Sequence, residues 1–301
     1  MNEPILLYKQ AHAIHVNTPS DPLFYYFDYD ERSYSINMEF QHFHDFYEIH
    51  ILLDAKAMHT IEGNLYTIQQ YDIVLLKPSL LHKTQYPEGP PHKRLIINFA
   101  IPREIEGLTS GYEAIFSVFD QPIPIFRFPE KIQKNLFTYI NDIFKLSLSH
   151  SPHNPVAIHC KFTEFLCALY LNQQHNSYVP QEVGDSTTQK IYAITSHIHS
   201  NYKEQLSLES LSKMFYISSY YLSHQFKKVT GFTLTSYIQM TRIRTAQLLL
   251  MNSNMKITEI AEQCGFTSFS QFNRIFNKHN DMSPSAYRQA IAKNPFQGAV
   301  D

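Results

Sequence analysis

The sequence predicts a two-domain α+β protein, in which a β-barrel or sandwich precedes an all-α domain. Three observations lead to this prediction. Apolar and polar residues alternate from Ser33 to about Phe99, two amphipathic segments follow, and a helix-turn-helix pattern occurs twice near the C-terminus. A chain of 301 residues with 44% hydrophobic residues is long enough to form two cores.

The alternating region contains five short runs typical of half-buried strands, because side chains two residues apart share one face of a strand. Between two of these runs, Glu62-Gly63-Asn64 supplies a hairpin turn. The predicted strands are Phe46 to Leu53, Met58 to Ile61, Leu65 to Ile68, Asp72 to Leu76 and Arg94 to Phe99.

Two amphipathic helices are predicted next, at Pro129 to Leu148 and Pro155 to Leu171, because their apolar residues recur at helical spacing. The two stripes are Ile132, Leu136, Ile140, Ile143 and Phe144, and Ile158, Phe162, Phe165, Leu166 and Leu169. Such faces suit a dimer interface, and packing on the barrel alone would give the same pattern. The polar stretch from Asn172 to Thr188 lacks periodicity and is predicted to link the domains.

The C-terminal repeat predicts two helix-turn-helix units. Leu211 to Gly231 is similar to Ile260 to Asp281, and the second turn carries one extra residue. Tyr216-Ile217 forms the first turn, whereas the second contains Gly265, which tolerates positive φ. Thr235 to Asn252 is predicted to be the connecting helix, about 27 Å long at about 1.5 Å per residue.

The second helix of each unit has an outward face, opposite its apolar stripe. These faces carry donors, acceptors and one aromatic ring, which suit base edges in a major groove; the alternative is a solvated helix face. The candidate DNA-binding residues are Tyr220, Ser223, His224, Lys227, Ser270, Asn273, Arg274 and Asn277. On the connecting helix, Arg242 and Arg244 suit either phosphate contacts or internal ion pairs.

The charge is distributed unevenly along the chain, and this favours DNA binding over a merely solvated face. From Gln189 to the end, eight Lys and four Arg stand against six acidic residues, a formal charge of +6. Residues 1–188 carry 13 basic and 21 acidic residues, a formal charge of −8. Such asymmetry is expected when only one domain meets phosphate.

Residues 190–290 resemble the DNA-binding domain of AraC/XylS-family transcription regulators. The matching motifs include Leu208 to Leu211, Tyr221-Leu222-Ser223, Phe226-Lys227-Lys228, Gly231, Arg242, Ala246 to Leu249, Ile257 to Ala261, Gly265-Phe266, Phe272 to Phe276, Ser283-Pro284 and Tyr287-Arg288. Tyr216 stands where the family usually has glycine, so a strained or differently shaped first turn is expected. His224 and Gln271 replace a frequent arginine and an aromatic residue.

The N-terminal order resembles the cupin-like sensory domain that often precedes this DNA-binding domain. The motifs are His42-x-His44, Tyr47-Glu48-Ile49, the Gly63 hairpin, Asp72-Ile73 and Pro78 with His82, and Tyr71 replaces the usual glycine before Asp72. The resemblance implies a small-molecule effector, for example a sugar, inside the barrel. The candidate effector-binding residues are His42, His44, Glu48, His82 and Arg94.

His42, His44, Glu48 and His50 share one strand face if the strand is unbroken. The spacing of His42, His44, Glu48 and His82 resembles that of metal-binding cupins, yet similar regulators carry such residues without metal. No metal, other cofactor or catalytic residue is therefore expected.

The remaining features favour an intracellular regulator. Cys160, Cys167 and Cys264 form no CxxC pair and are expected to be reduced, no apolar run is long enough for a membrane span, and a cytoplasmic location is expected. The predicted boundaries are 1–175 for the effector-binding and dimerisation domain, 176–188 for the linker, 189–292 for the DNA-binding domain and 293–301 for the tail.

The resulting prediction is an effector-responsive, sequence-specific DNA-binding transcription regulator that forms a homodimer, binds duplex DNA and has no membrane partner. The alternative is a metal-dependent cupin enzyme fused to a DNA-binding domain.

Overall fold

The structure is a computed structural model that describes residues 11–19, 21–32, 42–44, 46–78, 80–89, 92–149, 151–180 and 186–293. The predicted tail after residue 293, part of the predicted linker and the start of the predicted alternating region at residues 33–41 lie outside the described residues.

The N-terminal strands form two antiparallel sheets. The strands are β1 His12–Val16, β2 Phe24–Arg32, β3 Tyr47–Leu52, β4 Lys56–Ile61, β5 Asn64–Gln69, β6 Ile73–Leu76, β7 His82–Gln85, β8 His92–Ala100 and β9 Ile125–Phe126. A six-stranded sheet has the order β1-β2-β8-β3-β6-β9, and a three-stranded sheet has the order β5-β4-β7. The predicted barrel is therefore not closed, because the described strands belong to two separate sheets.

A small core lies between the two sheets. Leu52, Val74 and Leu76 of the large sheet pack with Ala57 and Ile68 of the small one. Because side chains alternate along β3, Glu48 and His50 project on the same side of the sheet as Leu52. The inner face of the large sheet therefore carries titratable side chains beside apolar ones.

The opposite face of the large sheet packs against helices. The helices of the N-terminal domain are α1 Thr109–Phe116, α2 Glu130–Ser147 and α3 Asn154–Asn172. Both predicted apolar stripes lie in one core with Ile49, Ile51 and Phe99. The stripes on α2 and α3 thus pack on the sheet, which is the second of the two alternatives that their periodicity allowed.

Seven helices form the described part of the C-terminal domain. They are α4 Ser186–Asn201, α5 Leu208–Met214, α6 Ser219–Thr230, α7 Leu234–Asn252, α8 Ile257–Gln263, α9 Phe269–Asn280 and α10 Pro284–Lys293. Helix α4 begins at Ser186, two residues before the predicted end of the linker at residue 188. None of the described helices is long and apolar enough to cross a membrane.

Each helix-turn-helix unit is fixed by local signals. The side chains of Ser218 and Ser268 cap α6 and α9 by accepting hydrogen bonds from backbone N–H groups one turn later. The turns contain Tyr216 at a φ of 54° and Gly265 at a φ of 81°. The first turn thus adopts the left-handed backbone that the family places at glycine, with a tyrosine in that position.

Helix α7 joins the two units because its two halves belong to different cores. Leu234, Tyr237 and Ile238 pack with the first unit, and Ile243 and Leu250 pack with the second. The predicted connecting helix is therefore present, and its apolar residues hold α6 and α9 to one rigid element.

Candidate DNA-binding surface and inner-sheet site

The predicted DNA-binding face of α6 is exposed. Tyr220, Ser223, His224 and Lys227 all face solvent, and together with Lys228 they line a shallow groove. They are outward because Leu222 and Phe226 on the other side of α6 are fully buried in the first core. Lys227, Lys228 and the Tyr220 ring lie on one open face, and such groups suit phosphate and base contacts.

The corresponding face of α9 is also open to solvent. Ser270, Arg274 and Asn277 are exposed, and Asn273 is half-buried. The opposite side of the helix buries Phe272, Ile275 and Phe276 in the second core. Both second helices therefore place the predicted residues outside the core, where DNA could reach them.

The two arginines of the connecting helix form internal contacts instead of reaching outward. Arg242 donates hydrogen bonds to the carbonyl oxygens of Tyr202 and Glu204, at 2.8 and 2.6 Å. Arg244 pairs with the carboxylate of Glu62, which belongs to the N-terminal domain. Of the two roles that the sequence left open, the internal one is the observed one.

Four of the five predicted effector residues come together between the sheets. One ligand atom from each of His42, His44, Glu48 and His82 lies within 4.8 Å of every other. His44 Nε2 is 3.2 Å from one carboxylate oxygen of Glu48, and His82 Nε2 is 3.8 Å from the other. Backbone hydrogen bonds of 2.9 Å between His42 and His82, in both directions, align their two segments.

This cluster combines burial with a concentrated negative charge. Burial alone would raise the pKa of Glu48, yet the hydrogen bond from His44 and the charges of His82 and His42 hold that pKa well below its usual range. Burial lowers the pKa of His82 and of His42. The site therefore favours the anionic form of the Glu48 carboxylate, and burial favours the neutral form of the His42 and His82 imidazoles.

The fifth predicted residue, Arg94, does not join this cluster. It lies opposite Leu52 in the sheet, four residues along β3 from Glu48, and donates a 2.7 Å hydrogen bond to Asp28 on β2. Arg94 was predicted to line the effector site, but the strand pairing places it further along the sheet, where it pairs with Asp28.

Two further buried histidines extend the inner face. His50 hydrogen-bonds the hydroxyl of Tyr86 at 3.2 Å, and the ring of His59 stacks on that of His82 with centroids 6.0 Å apart. Burial lowers the pKa of His50 to about 4 and that of His59 to about 3. The parity of β3 identified His50, whereas His59 reaches the site only through the packing of the second sheet.

The β4–β5 hairpin turn contacts the C-terminal domain. Glu62 and Gly63 both have positive φ, at 49° and 76°, as a tight two-residue turn between antiparallel strands requires. Glu62 accepts a hydrogen bond from His199 Nδ1 at 3.1 Å, in addition to its pair with Arg244. The Thr195 hydroxyl donates to the Gly63 carbonyl oxygen at 2.9 Å.

The charges at this turn stabilise the carboxylate. Burial would raise the pKa of Glu62, but the hydrogen bond from His199 and the positive charge of Arg244 outweigh it and lower the pKa to about 2. Glu62 also accepts the backbone N–H of Leu81 at 2.8 Å. One side chain therefore connects the hairpin, the β7 segment and the DNA-binding domain.

An apolar contact accompanies the polar one. Leu81 is 1% exposed and packs in the core of the first helix-turn-helix unit with residues of α4 and α6, and Phe43 packs on the same core. Both are chain neighbours of the clustered histidines, since Leu81 precedes His82 and Phe43 lies between His42 and His44. Sequence reasoning missed Glu62, Leu81 and Thr195 as interdomain residues, because no local pattern marks a contact between distant segments.

Comparison with known proteins gives the family. The AraC-like ligand binding domain matches residues 25–166, and a helix-turn-helix domain matches residues 211–290. The HTH-type transcriptional regulator YijO of Escherichia coli strain K12 is 39% identical over 97 residues, which cover 32% of this chain and 34% of YijO. The HTH-type transcriptional activator RhaS of Yersinia pestis is 24% identical over 268 residues, which cover 83% of this chain and 89% of RhaS.

Among solved structures, the C-terminal domain of the two-component response regulator yesN from Fusobacterium nucleatum is 35% identical, with a TM-score of 0.32, over 35% of this chain and 99% of that one.

The matched family regions coincide with the β-rich domain and the two helix-turn-helix units described above. The chain belongs to the AraC family of transcriptional regulators.

Proposed function

We propose that this regulator binds specific duplex DNA sequences through the exposed faces of α6 and α9, under the control of a small molecule bound between the two sheets. The observation that carries the proposal is the docking of the β4–β5 hairpin on α4 and of Leu81 in the core that α4 shares with the first helix-turn-helix unit. This contact connects the effector domain to the core in which the proposed DNA-binding helix α6 packs. No enzymatic step is part of the proposal.

The route from effector to DNA follows from chain connectivity. An occupant of the histidine cluster would contact His82 or His44, and their neighbours Leu81 and Phe43 pack in the first unit. A ligand that favours one arrangement of these segments shifts the population of docked and undocked domains by its difference in affinity for the two. The second unit would then follow through α7, which packs in both cores.

The effector is proposed to be a small polar molecule, for example a carbohydrate. Imidazoles and a carboxylate line the site, and such groups exchange hydrogen bonds with hydroxyl groups. Screening sugars and small organic acids for a rise in the melting temperature of the full chain identifies the effector, because a ligand of the native state stabilises it by mass action. His44→Ala should remove the shift if the cluster is the site.

DNA binding is tested directly with oligonucleotides. Selection from a random duplex pool by the full chain should yield a preferred sequence, and anisotropy titration should show affinity that falls with salt. Arg274→Ala and Lys227→Ala should each weaken binding, and a residue that contacts phosphate should lower the salt slope by about 1. Lys213→Ala, on α5 and paired with Glu209, is the control cation and should change little.

The contact between the β4–β5 hairpin and α4 is tested by adding one methyl group at Gly63. A Cβ added to Gly63 would overlap Thr195 of α4, whereas one added to Gly107, at a similar φ of 79°, meets nothing within 4 Å. Gly63→Ala should therefore alter DNA affinity and its dependence on effector, and Gly107→Ala should not. Equal DNA binding by both variants and the parent chain would refute control through this hairpin.

A homodimer is proposed through the outer face of α3. This face carries Val156 and Leu171, which are 66% and 65% exposed, and the exposed Cys160. Its inner face is already buried against the sheet. Val156→Glu combined with Leu171→Glu should dissociate the dimer in analytical ultracentrifugation, while Leu148→Glu, directly after the end of α2, should not.

A further inference from the structure

We propose that His42, His44, Glu48 and His82 bind one divalent first-row transition-metal ion. The four side chains offer three imidazole nitrogens and a carboxylate oxygen, all within 4.8 Å of one another. The proposal rests on the proposed function for its role in control, and it gives the inner-sheet site an ion as occupant where that function names a small polar molecule. The closing experiment distinguishes the two occupants.

Each ring nitrogen of His44 faces a hydrogen-bond acceptor. His44 Nδ1 lies 2.9 Å from the carbonyl oxygen of Phe46, which can only accept, so Nδ1 carries the proton. Nε2 then donates to the Glu48 carboxylate, 3.2 Å away, only when the ring is protonated, and in the neutral ring it presents a lone pair there. Two lone pairs at this distance repel, and a cation between them removes the conflict.

His82 repeats the arrangement. Its Nδ1 lies 2.8 Å from the carbonyl oxygen of Leu80, so its free lone pair is also on Nε2. Within the described residues, His82 Nε2 makes no hydrogen bond, although the residue is only 1% exposed. His42 Nδ1 is likewise buried without a hydrogen-bond partner among those residues. Buried polar atoms of this kind are rare unless something binds them.

The supporting contacts are those that metal-binding histidines require. A ligating imidazole typically donates its other N–H to a backbone carbonyl or carboxylate, which fixes the tautomer and the ring orientation. His44 and His82 both do so, through Phe46 and Leu80. The rings are thus oriented with Nε2 toward the same carboxylate.

Donor chemistry and spacing select the class of ion. Ligand atoms at about 2.0–2.2 Å from one ion lie about 3.3–4.2 Å apart, so small side-chain rotations close the observed set. Three imidazoles with one carboxylate suit zinc, iron, nickel, cobalt or manganese, while calcium and magnesium favour all-oxygen sites.

The experiment uses the full chain, purified without a histidine tag and treated with chelator before dialysis. Titration with Zn²⁺ alone should show one ion per chain by calorimetry and elemental analysis, and Zn²⁺ should raise the melting temperature. Co²⁺ alone should give visible absorption bands. His44→Ala, Glu48→Gln and His82→Ala should each weaken Zn²⁺ binding at least tenfold.

His92→Gln is the matched control. His92 is a buried histidine of the same domain whose Nε2 also lacks a hydrogen bond among the described residues, but its one carboxylate contact is Asp54, away from the cluster. It should bind Zn²⁺ like the parent chain. A folded parent chain that binds no Zn²⁺ or Co²⁺, or equal binding by all variants, overturns the proposal.

Measurements on the parent chain keep the test decisive if a variant fails to fold. X-ray absorption of the parent chain with Zn²⁺ should show a nitrogen and oxygen shell, and a sulfur shell would assign the ion to cysteine and overturn the proposal. If Zn²⁺ binds at the cluster and leaves DNA affinity unchanged, the metal site stands and the proposed control route fails. If a sugar but no metal stabilises the chain, the metal site fails and the control route remains.

Discussion

The two helix-turn-helix units are built from helices of the same lengths but contact different parts of the chain. In each, a 7-residue helix precedes a 12-residue helix. The core of the first unit includes Leu81 of the N-terminal domain, whereas the described core of the second consists of C-terminal residues alone. Under the proposed function, the effector domain would act on the first unit directly and on the second through α7.

The two units also carry their glycines at different positions. The first has Tyr216 at positive φ in its turn and Gly231 at the end of α6, while the second has Gly265 in its turn and Asp281 at the end of α9. Each unit therefore contains one non-glycine residue whose left-handed backbone conformation is strained. Duplicated motifs can thus share a backbone shape without sharing the residues that favour it.

The largest expected effect comes from removing a core ring of either unit. Phe226→Ala and Phe276→Ala should each cost about 3–5 kcal/mol, because each ring is fully buried. Hydrogen exchange should increase in α5 and α6 for the first variant and in α8 and α9 for the second. Phe269→Ala, whose ring is 46% exposed, is the control and should change stability by less. Exchange that rises equally in both units would show that they unfold as one.

The next largest effect is expected at the interdomain contact. Leu81→Ala should cost about 2–5 kcal/mol by leaving a cavity in the first core. Exchange should rise in α4 and α6 but stay constant in α8 and α9. An unchanged α4 and α6 would mean that Leu81 does not support the first unit in solution.

A smaller effect is expected from the charge at the hairpin. Glu62→Gln should cost about 1.5–3 kcal/mol, the range for hydrogen bonds to charged groups. Because the folded-state pKa of Glu62 is about 2 and its ordinary value is 4.5, the charge contributes its full stability above about pH 5. This contribution decreases as the pH falls toward 2.

Urea unfolding of the parent chain and of Glu62→Gln at pH 7 and pH 4 measures this contribution. The stability difference should be largest at pH 7 and smaller at pH 4. A difference that grows at pH 4 would have the wrong sign for a carboxylate with a lowered pKa.

The smallest effects are expected at Tyr216 and Asp281, the two non-glycine residues at positive φ in these units. Tyr216→Gly and Asp281→Gly should each stabilise the chain by about 0.5–1 kcal/mol, because glycine adopts positive φ without strain. Tyr216 is 93% exposed, so its loss removes little packing. The gain should be larger for Tyr216, since aspartate tolerates this backbone better than tyrosine. Thermal unfolding measures both, and a destabilised Tyr216→Gly would mean that the ring makes contacts that outweigh the strain.

Much of the architecture was predictable because its signals are local. All five predicted strands are present, as β3, β4, β5, β6 and β8, since short alternating or continuous apolar runs between turn residues indicate strands. Strands β1, β2, β7 and β9 were not predicted, because they lie outside the alternation or are too short to show it. The inner-sheet cluster was partly predictable, since parity places Glu48 and His50 on one face of β3.

The amino-acid sequence by itself determined the repeated units, their outward polar faces and the histidines and glutamate of the inner site. Each of these follows from periodicity within one segment or from short motifs along the chain. Only the tertiary structure decided that Arg94 pairs with Asp28, that Arg244 pairs with Glu62, and that Leu81 enters the core of the DNA-binding domain. The physical reason is that these contacts join segments far apart in the chain, and their partners are selected by how the sheets and helices pack.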